Sequence, residues 1–206
     1  MIKLLIILCS LFIALPLYAN PCMQMLMGGT TGTAAPPAAC TTQVSPTDME
    51  TFDGTRFNVG SATSLQHIST AFVAGKTTTI CKICLTLESS TGTSPSYNAT
   101  VAIYNDTGGE PNEASIVDTS ESKNMTGVLT GDNQEICWTD ISAAITNTST
   151  YHVVLHTDAY DATNIMRWAK DSTCATESVH RSSDGSDWIE IDTDQCAMVK
   201  LYEATP

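Results

Sequence analysis

Between residues 61 and 206 the chain is cut into short β-type runs by closely spaced turn clusters, and this spacing leaves little room for any fold but an antiparallel one. ATVAIYN sets Val101 and Ile103 on one face against Thr100, Ala102 and Tyr104, and YHVVLHTD sets Tyr151, Val153 and Leu155 against His152, Val154 and His156. Such period-two alternation is the pattern of a strand with one face in a core. HISTAFVAG, TICKICLTLE, EASIVDTS, EICWTDI, NIMRWAK, SDWIEID and AMVKLYE read the same way, and NDTGGEP, TGDNQ, TNTST and SSDGSD separate them with strong turn chemistry. No segment of helical length carries a 3.6-residue apolar repeat. The expected fold is all-β, an antiparallel β-sandwich or jelly roll of about nine strands.

The residues ahead of that region read differently. MIKLLIILCSLFIALPLYAN joins an early lysine, an apolar run and a small-residue end, the pattern of a secretory signal peptide over 1–19 with cleavage after Ala19. The apolar run is short for a membrane span, so no transmembrane anchor is expected in the mature chain and the protein is expected outside the cell or at its surface. Residues 20–60 open with NPCMQMLMGGTTGTAAPPAACTTQVSPT, rich in Gly, Thr, Ala and Pro, and read as a flexible linker or N-terminal arm. The sandwich is therefore expected to begin at residue 61.

An exported chain uses cysteine first for disulfides. Eight cysteines are present and Cys9 lies in the leader, which leaves Cys22, Cys40, Cys81, Cys84, Cys137, Cys174 and Cys196. Cys81 and Cys84 form a C-x-x-C that could be a redox dithiol, half a zinc site or two separate staples. Their flanks are strand-like, so the two side chains point to roughly opposite faces about 10 Å apart, and no second close pair completes a four-cysteine zinc site. Bridges to other strands are expected, Cys137 being the best partner for one of them and Cys174–Cys196 a second bridge. A local Cys22–Cys40 pairing is a third option. The odd count leaves one thiol free or bonded to another molecule.

The formal charge of −13 repels polyanions, so nucleic acid is excluded as a main partner. No G-x-S-x-G elbow, P-loop or H-E-x-x-H is present, and acidic pairs such as Asp158 with Asp161 occur in any acidic chain. No catalytic residue is assigned, no enzyme is expected, and no cofactor is required. Calcium is the one cation the turns could hold: NDTGGE gathers Asn105, Asp106 and Glu110 as oxygen donors. The competing reading is a plain turn with an Asx-type bond from Asp106. His152 and His156 stand about 13 Å apart on a strand, too far for one ion, and His67 and His180 are isolated in sequence. Sugar stacking would need open aromatic faces with amides and carboxylates beside them. Trp168, Arg167, Tyr160, Asp158, Asn164 and Tyr104 are the candidates, each set against packing in the core or the sheet. SSDGSDW resembles an Asp-box hairpin one residue short, in which Asp184 and Trp188 serve the fold.

AFVAG, LTLE, IYNDTGGEP, CWTDI, YHVVLHTD, RWAKDS, SSDGSDW and VKLY, over roughly residues 65 to 203, resemble in order and spacing the choice-of-anchor type β-sandwich modules of bacterial surface and phage structural proteins. The resemblance implies a jelly-roll-like module in an extracellular or particle-surface setting and carries no catalytic residue with it. Two functions follow as expectations. One is a secreted, adhesion-like module that binds an extracellular glycan or surface polymer. The other is a structural subunit of a surface layer, filament or virion, binding copies of itself through the arm.

Overall fold

The computed structural model describes residues 39–44, 49–62, 65–172, 174 and 178–204, and these form two antiparallel sheets with no α-helix among them. The eight-stranded sheet holds β1 (Cys40–Val44), β2 (Phe52–Val59), β4 (Thr78–Ser89), β8 (Gln134–Trp138), β9 (Ala143–Ile145), β11 (Met166–Asp171), β14 (Cys196–Ala197) and β15 (Val199–Ala204). The seven-stranded sheet holds β3 (His67–Val73), β5 (Asn98–Thr107), β6 (Glu110–Thr119), β7 (Lys123–Asn124), β10 (Thr150–Thr157), β12 (Val179–Ser182) and β13 (Ile189–Asp192). Its order is β13-β12-β3-β10-β5-β6, with β7 pairing β5. Two antiparallel sheets around one core give the sandwich-like, all-β class that the alternation predicts.

That core is built from the inward residues of both sheets. Ile80, Ile83, Leu85 and Leu87 of β4 meet Val101 and Ile103 of β5, Val153 and Leu155 of β10, and Ile68 and Phe72 of β3, all at zero exposure. Trp168 of β11 is buried among them, and its indole N–H donates to the Met198 carbonyl at 2.7 Å. A buried indole needs such a partner, and this one locks the ring in the core. Tyr97 is held similarly: its hydroxyl donates to the Val59 carbonyl at 3.1 Å and accepts from the Met166 amide at 3.2 Å. Gly60 makes room for it, because a Cβ there would lie 2.7 Å from the Tyr97 oxygen.

The segment read as a linker departs from that reading. β1 and β2 both fall within 20–60, β1 pairing β15 and β2 pairing β11, so the sandwich begins by Cys40. Low-complexity composition hid these strands because β1 (CTTQV) is an edge strand with one buried residue, Val44, and needs no apolar alternation. Residues 20–38, Cys22 among them, lie outside the described residues, as do residues 1–19, the expected signal peptide.

Three disulfides join Cys40–Cys81, Cys84–Cys137 and Cys174–Cys196. The C-x-x-C is thus split between two bridges, as strand geometry requires, and the Cys137 and Cys174–Cys196 expectations hold. Cys22–Cys40 does not: Cys40 is bridged to Cys81, its antiparallel strand bringing their Cα atoms to 5.9 Å. Three bridges suit an oxidising, extracellular compartment. Among the described residues no helix is long and apolar enough to cross a membrane.

Candidate functional site

The expected ligand set does not assemble. Trp168 offers no face to a sugar, being fully buried in the core. Arg167 projects from the eight-stranded sheet, 3.7 Å from Glu88, whereas Tyr104 lies on the seven-stranded sheet, edge-on to Trp188 at 6.5 Å. Asp158, Tyr160 and Asn164 share the loop between β10 and β11. There Asp158 accepts from the Asn98 amide at 2.9 Å and from its side-chain nitrogen at 2.7 Å, while Asn164 is tied to Asp161 and Thr91. Tyr160 is the open aromatic, at 54 % exposure, with the exposed Asp158 in the same loop.

The calcium set also disperses. Asn105 turns its amide to Ser115, donating to the carbonyl at 3.1 Å and the hydroxyl at 2.8 Å. One oxygen of Asp106 accepts from the Gly109 amide at 3.2 Å, the Asx-type bond of a plain turn. Its other oxygen accepts from His152 Nε2 at 2.9 Å. Glu110 stands exposed at the end of the hairpin. The described Cys84–Glu135–Cys137 grouping has metal-like spacing, but its two sulfurs are joined to each other.

Another constellation takes shape where the chain gave no local signal. Opposite the core-facing residues of β3, β10 and β12, the outer face of the seven-stranded sheet carries all four histidines of the protein. His156 sits directly across from His67, and His180 across from Ser69, whose other neighbour is Val154. His67 and His156 have ring centroids 4.2 Å apart, and His152 and His180 meet edge-to-face at 5.7 Å. These pairs join residues 89 (156 − 67) and 28 (180 − 152) positions apart, which is why His67 and His180 read as isolated in the sequence.

The face is covered rather than open. His152 and Ser69 are fully buried, and His180 is 1 % exposed. The turn after β12 folds over it. Ser182 Oγ donates to Asp184 at 3.1 Å, Asp184 accepts from the Ser186 amide at 3.0 Å, and Trp188 lies edge-on to His67 at 6.3 Å. Gly185, at φ +88°, passes so close that a Cβ would stand 3.3 Å from the His67 ring. Burial lowers the pKa of all four histidines. His67, with His156 beside it, is pushed down to about 4, while Asp106 partly opposes the drop at His152. At neutral pH these imidazoles are uncharged.

Their Nδ1 atoms have no hydrogen-bond partner among the described residues. Buried side-chain atoms without a hydrogen-bond partner among the described residues include Nδ1 of His67, His152, His156 and His180, Ser69 Oγ and Trp188 Nε1, all on this one face. Folded proteins rarely leave buried polar atoms unpaired, so such a concentration marks a place built for something other than stability. Beside it, a cleft of about 350 Å³ runs between the β5–β6 hairpin and Ser186–Trp188, lined by Glu110, Asn112 and Glu113.

Comparisons with protein-family models, with curated proteins and with solved structures return no match. The site has to be argued from its own chemistry.

One more feature adjoins it. β13 forms an edge of the seven-stranded sheet, pairing only β12 among the described strands. It shows Ile189 (56 % exposed) and Ile191 (38 %), with Glu190 across from His180, a register shift that brings Asp192 across from Val179, and Lys170 3.4 Å from Asp192. The opposite edge, β6, is blunted by Pro111, acidic side chains and an irregular register.

Proposed function

We propose that the protein is a secreted, non-enzymatic surface module with a jelly-roll-like sandwich, and that it works by strand-edge contact with a protein neighbour, as an adhesin or a subunit of an extracellular layer. The observation that carries this reading is β13: an edge strand with two exposed isoleucines and the exposed Glu190 between them. An edge strand presents unpaired backbone groups, a template for strand addition, and β13 carries neither lysine nor proline. The exposed side chains select a partner. An extended segment with apolar residues to meet Ile189 and Ile191 and a lysine or arginine to meet Glu190 would match this edge, Asp192 being held by Lys170. The resemblance to choice-of-anchor modules of surface and phage structural proteins supports the same setting, and three disulfides suit long service outside a cell. The glycan version of the reading retains only Tyr160 as an open aromatic of its stacking candidates, and the edge is the better-supported surface.

The test compares wild type with Ile189→Asp/Ile191→Asp. Sedimentation velocity reads self-association, and fluorescence anisotropy reads binding of an alternating valine–lysine peptide. The peptide should bind wild type and lose at least about tenfold in affinity on the double variant, a change of about 1.4 kcal/mol. Self-association abolished by the same substitutions would make the neighbour a second copy. A wild type that does neither, or a variant that behaves identically, removes the edge as the working surface.

A further inference from the structure

We propose that His152 and His180 form a binding site for a borderline divalent metal ion of the zinc class, with Asp106 as the carboxylate that orients His152. Three features of the outer face converge on it. First, Asp106 Oδ1 accepts the proton of His152 Nε2 at 2.9 Å, which fixes the tautomer and leaves the Nδ1 lone pair free. A carboxylate holding the far nitrogen of an imidazole is the usual support behind a metal-bound histidine.

Second, that Nδ1 and the Nδ1 of His180 are both buried and unpartnered among the described residues, on rings whose centroids lie 5.7 Å apart at an interplanar angle of 76°. Zinc–nitrogen bonds run about 2.0 to 2.1 Å. Two imidazoles bound to one ion at a roughly tetrahedral angle therefore place their centroids about 5 Å apart, so modest side-chain rotation suffices here. The strand between them carries only small side chains at these positions: His152 stands opposite Ala71 and His180 opposite Ser69 on β3.

Third, the surroundings suit a cation. Asp106 and Glu110 act on both rings, and Glu190 acts on His180. No lysine or arginine is paired with any of these three carboxylates among the described residues. Imidazole donors select zinc, copper or nickel over calcium or magnesium. The acidic residues that read as calcium ligands in the sequence would act here one step back, through His152. Water or a group from a bound partner would complete the coordination.

The experiment is zinc titration by calorimetry on the intact, disulfide-bonded secreted protein after chelator treatment, with wild type, His180→Gln, His152→Gln, Asp106→Asn and His67→Gln compared. Thermal melts in chelator confirm that each variant folds. Wild type should bind one zinc per chain and melt higher with it. Either histidine variant should abolish binding, Asp106→Asn should weaken it by about 10- to 100-fold, and His67→Gln should leave it within about threefold. Cobalt in place of zinc gives a second readout, a visible spectrum of nitrogen-ligated metal that His180→Gln would lose. Absence of zinc binding up to about 1 mM, or binding that survives both His152→Gln and His180→Gln in folded protein, overturns the site. Loss on His67→Gln equal to that on His180→Gln overturns it as well, by moving the metal to the other histidine pair.

Discussion

On the outer face of the eight-stranded sheet, Glu88 is buried yet meets both Arg56 and Arg167, Lys200 reaches Glu135 at 2.6 Å, and Lys82 lies 3.6 Å over the Tyr202 ring. On the outer face of the seven-stranded sheet, four histidines and a serine are packed with a nitrogen or oxygen unpaired in each. The covalent links divide the same way. Cys40, Cys81, Cys84, Cys137 and Cys196 all sit on strands of the eight-stranded sheet, and no disulfide joins two described strands of the other. The first sheet ties most of these outer charges to one another, though Glu88 Oε2 has no partner among the described residues. The second gathers six such unpartnered atoms on one face, beside an edge strand and a cleft, which is where a partner or an ion would act.

The largest effect should come from unstapling the first sheet. Cys84 and Cys137 face each other across β4 and β8, and replacing both with serine should lower unfolding stability by about 2 to 5 kcal/mol in urea titrations. Peptide binding at β13 should be unchanged, because that strand belongs to the other sheet. If both properties fall together, the two faces are not separable.

Acid should act on the second sheet next. His67 has a folded-state pKa of about 4, below the ordinary histidine value of 6.5, through burial and its neighbour His156, with Asp184 opposing. His156 is lowered by burial, with Asp158 opposing. Between those values the unfolded chain binds protons that the folded one does not, so stability falls as pH drops from about 6.5 to about 4 and the loss is complete below that. Asp184 acts in a lower window. Its pKa, held down to about 2 chiefly by the Ser186 amide, makes its contribution fade only as pH falls from the usual carboxylate range towards that value. Melting temperature against pH should slope in the histidine window and flatten there in His67→Gln; a flat wild-type profile between pH 6.5 and 4 would contradict the burial of these rings.

How much of this was readable depended on sequence separation. Alternation in ATVAIYN and YHVVLHTD placed Val101, Ile103, Val153 and Leu155 inward and put His152 and His156 on the other face, because period two needs no knowledge of the partner strand. The Cys174–Cys196 bridge was legible as the flanks of one hairpin. Cys40–Cys81 was not, since the composition of residues 20–47 gives no strand signal and only the pairing of β1 with β15 brings Cys40 near β4. Trp168 reads as either a core or a stacking residue because its neighbours Arg167 and Asn164 are polar, and the alternation of β11 decides for the core. The histidine cluster is the clearest case. It exists only through the order β12-β3-β10, which no local pattern encodes.

Two smaller substitutions sharpen the contrast between the faces. Glu88→Ala strips Arg56 and Arg167 of their shared carboxylate, and should cost about 1 to 3 kcal/mol. The lower half of that range is favoured because both arginines keep contact with water, with side chains 22 % and 36 % exposed. Ser69→Ala should do the reverse. Its hydroxyl is buried with no partner among the described residues, so the folded state carries a desolvation cost that alanine removes, while the cavity left by one oxygen is too small to matter greatly. Chemical denaturation in chelator should show Ser69→Ala more stable than wild type by about 0.5 to 1 kcal/mol. A polar-to-apolar change that stabilises one outer face, beside one that destabilises the other, is the outcome expected if the seven-stranded sheet, with six unpartnered atoms on its outer face, holds those groups in reserve. Destabilisation by Ser69→Ala would mean that the hydroxyl has a structural partner, and would return that face to the same category as its opposite.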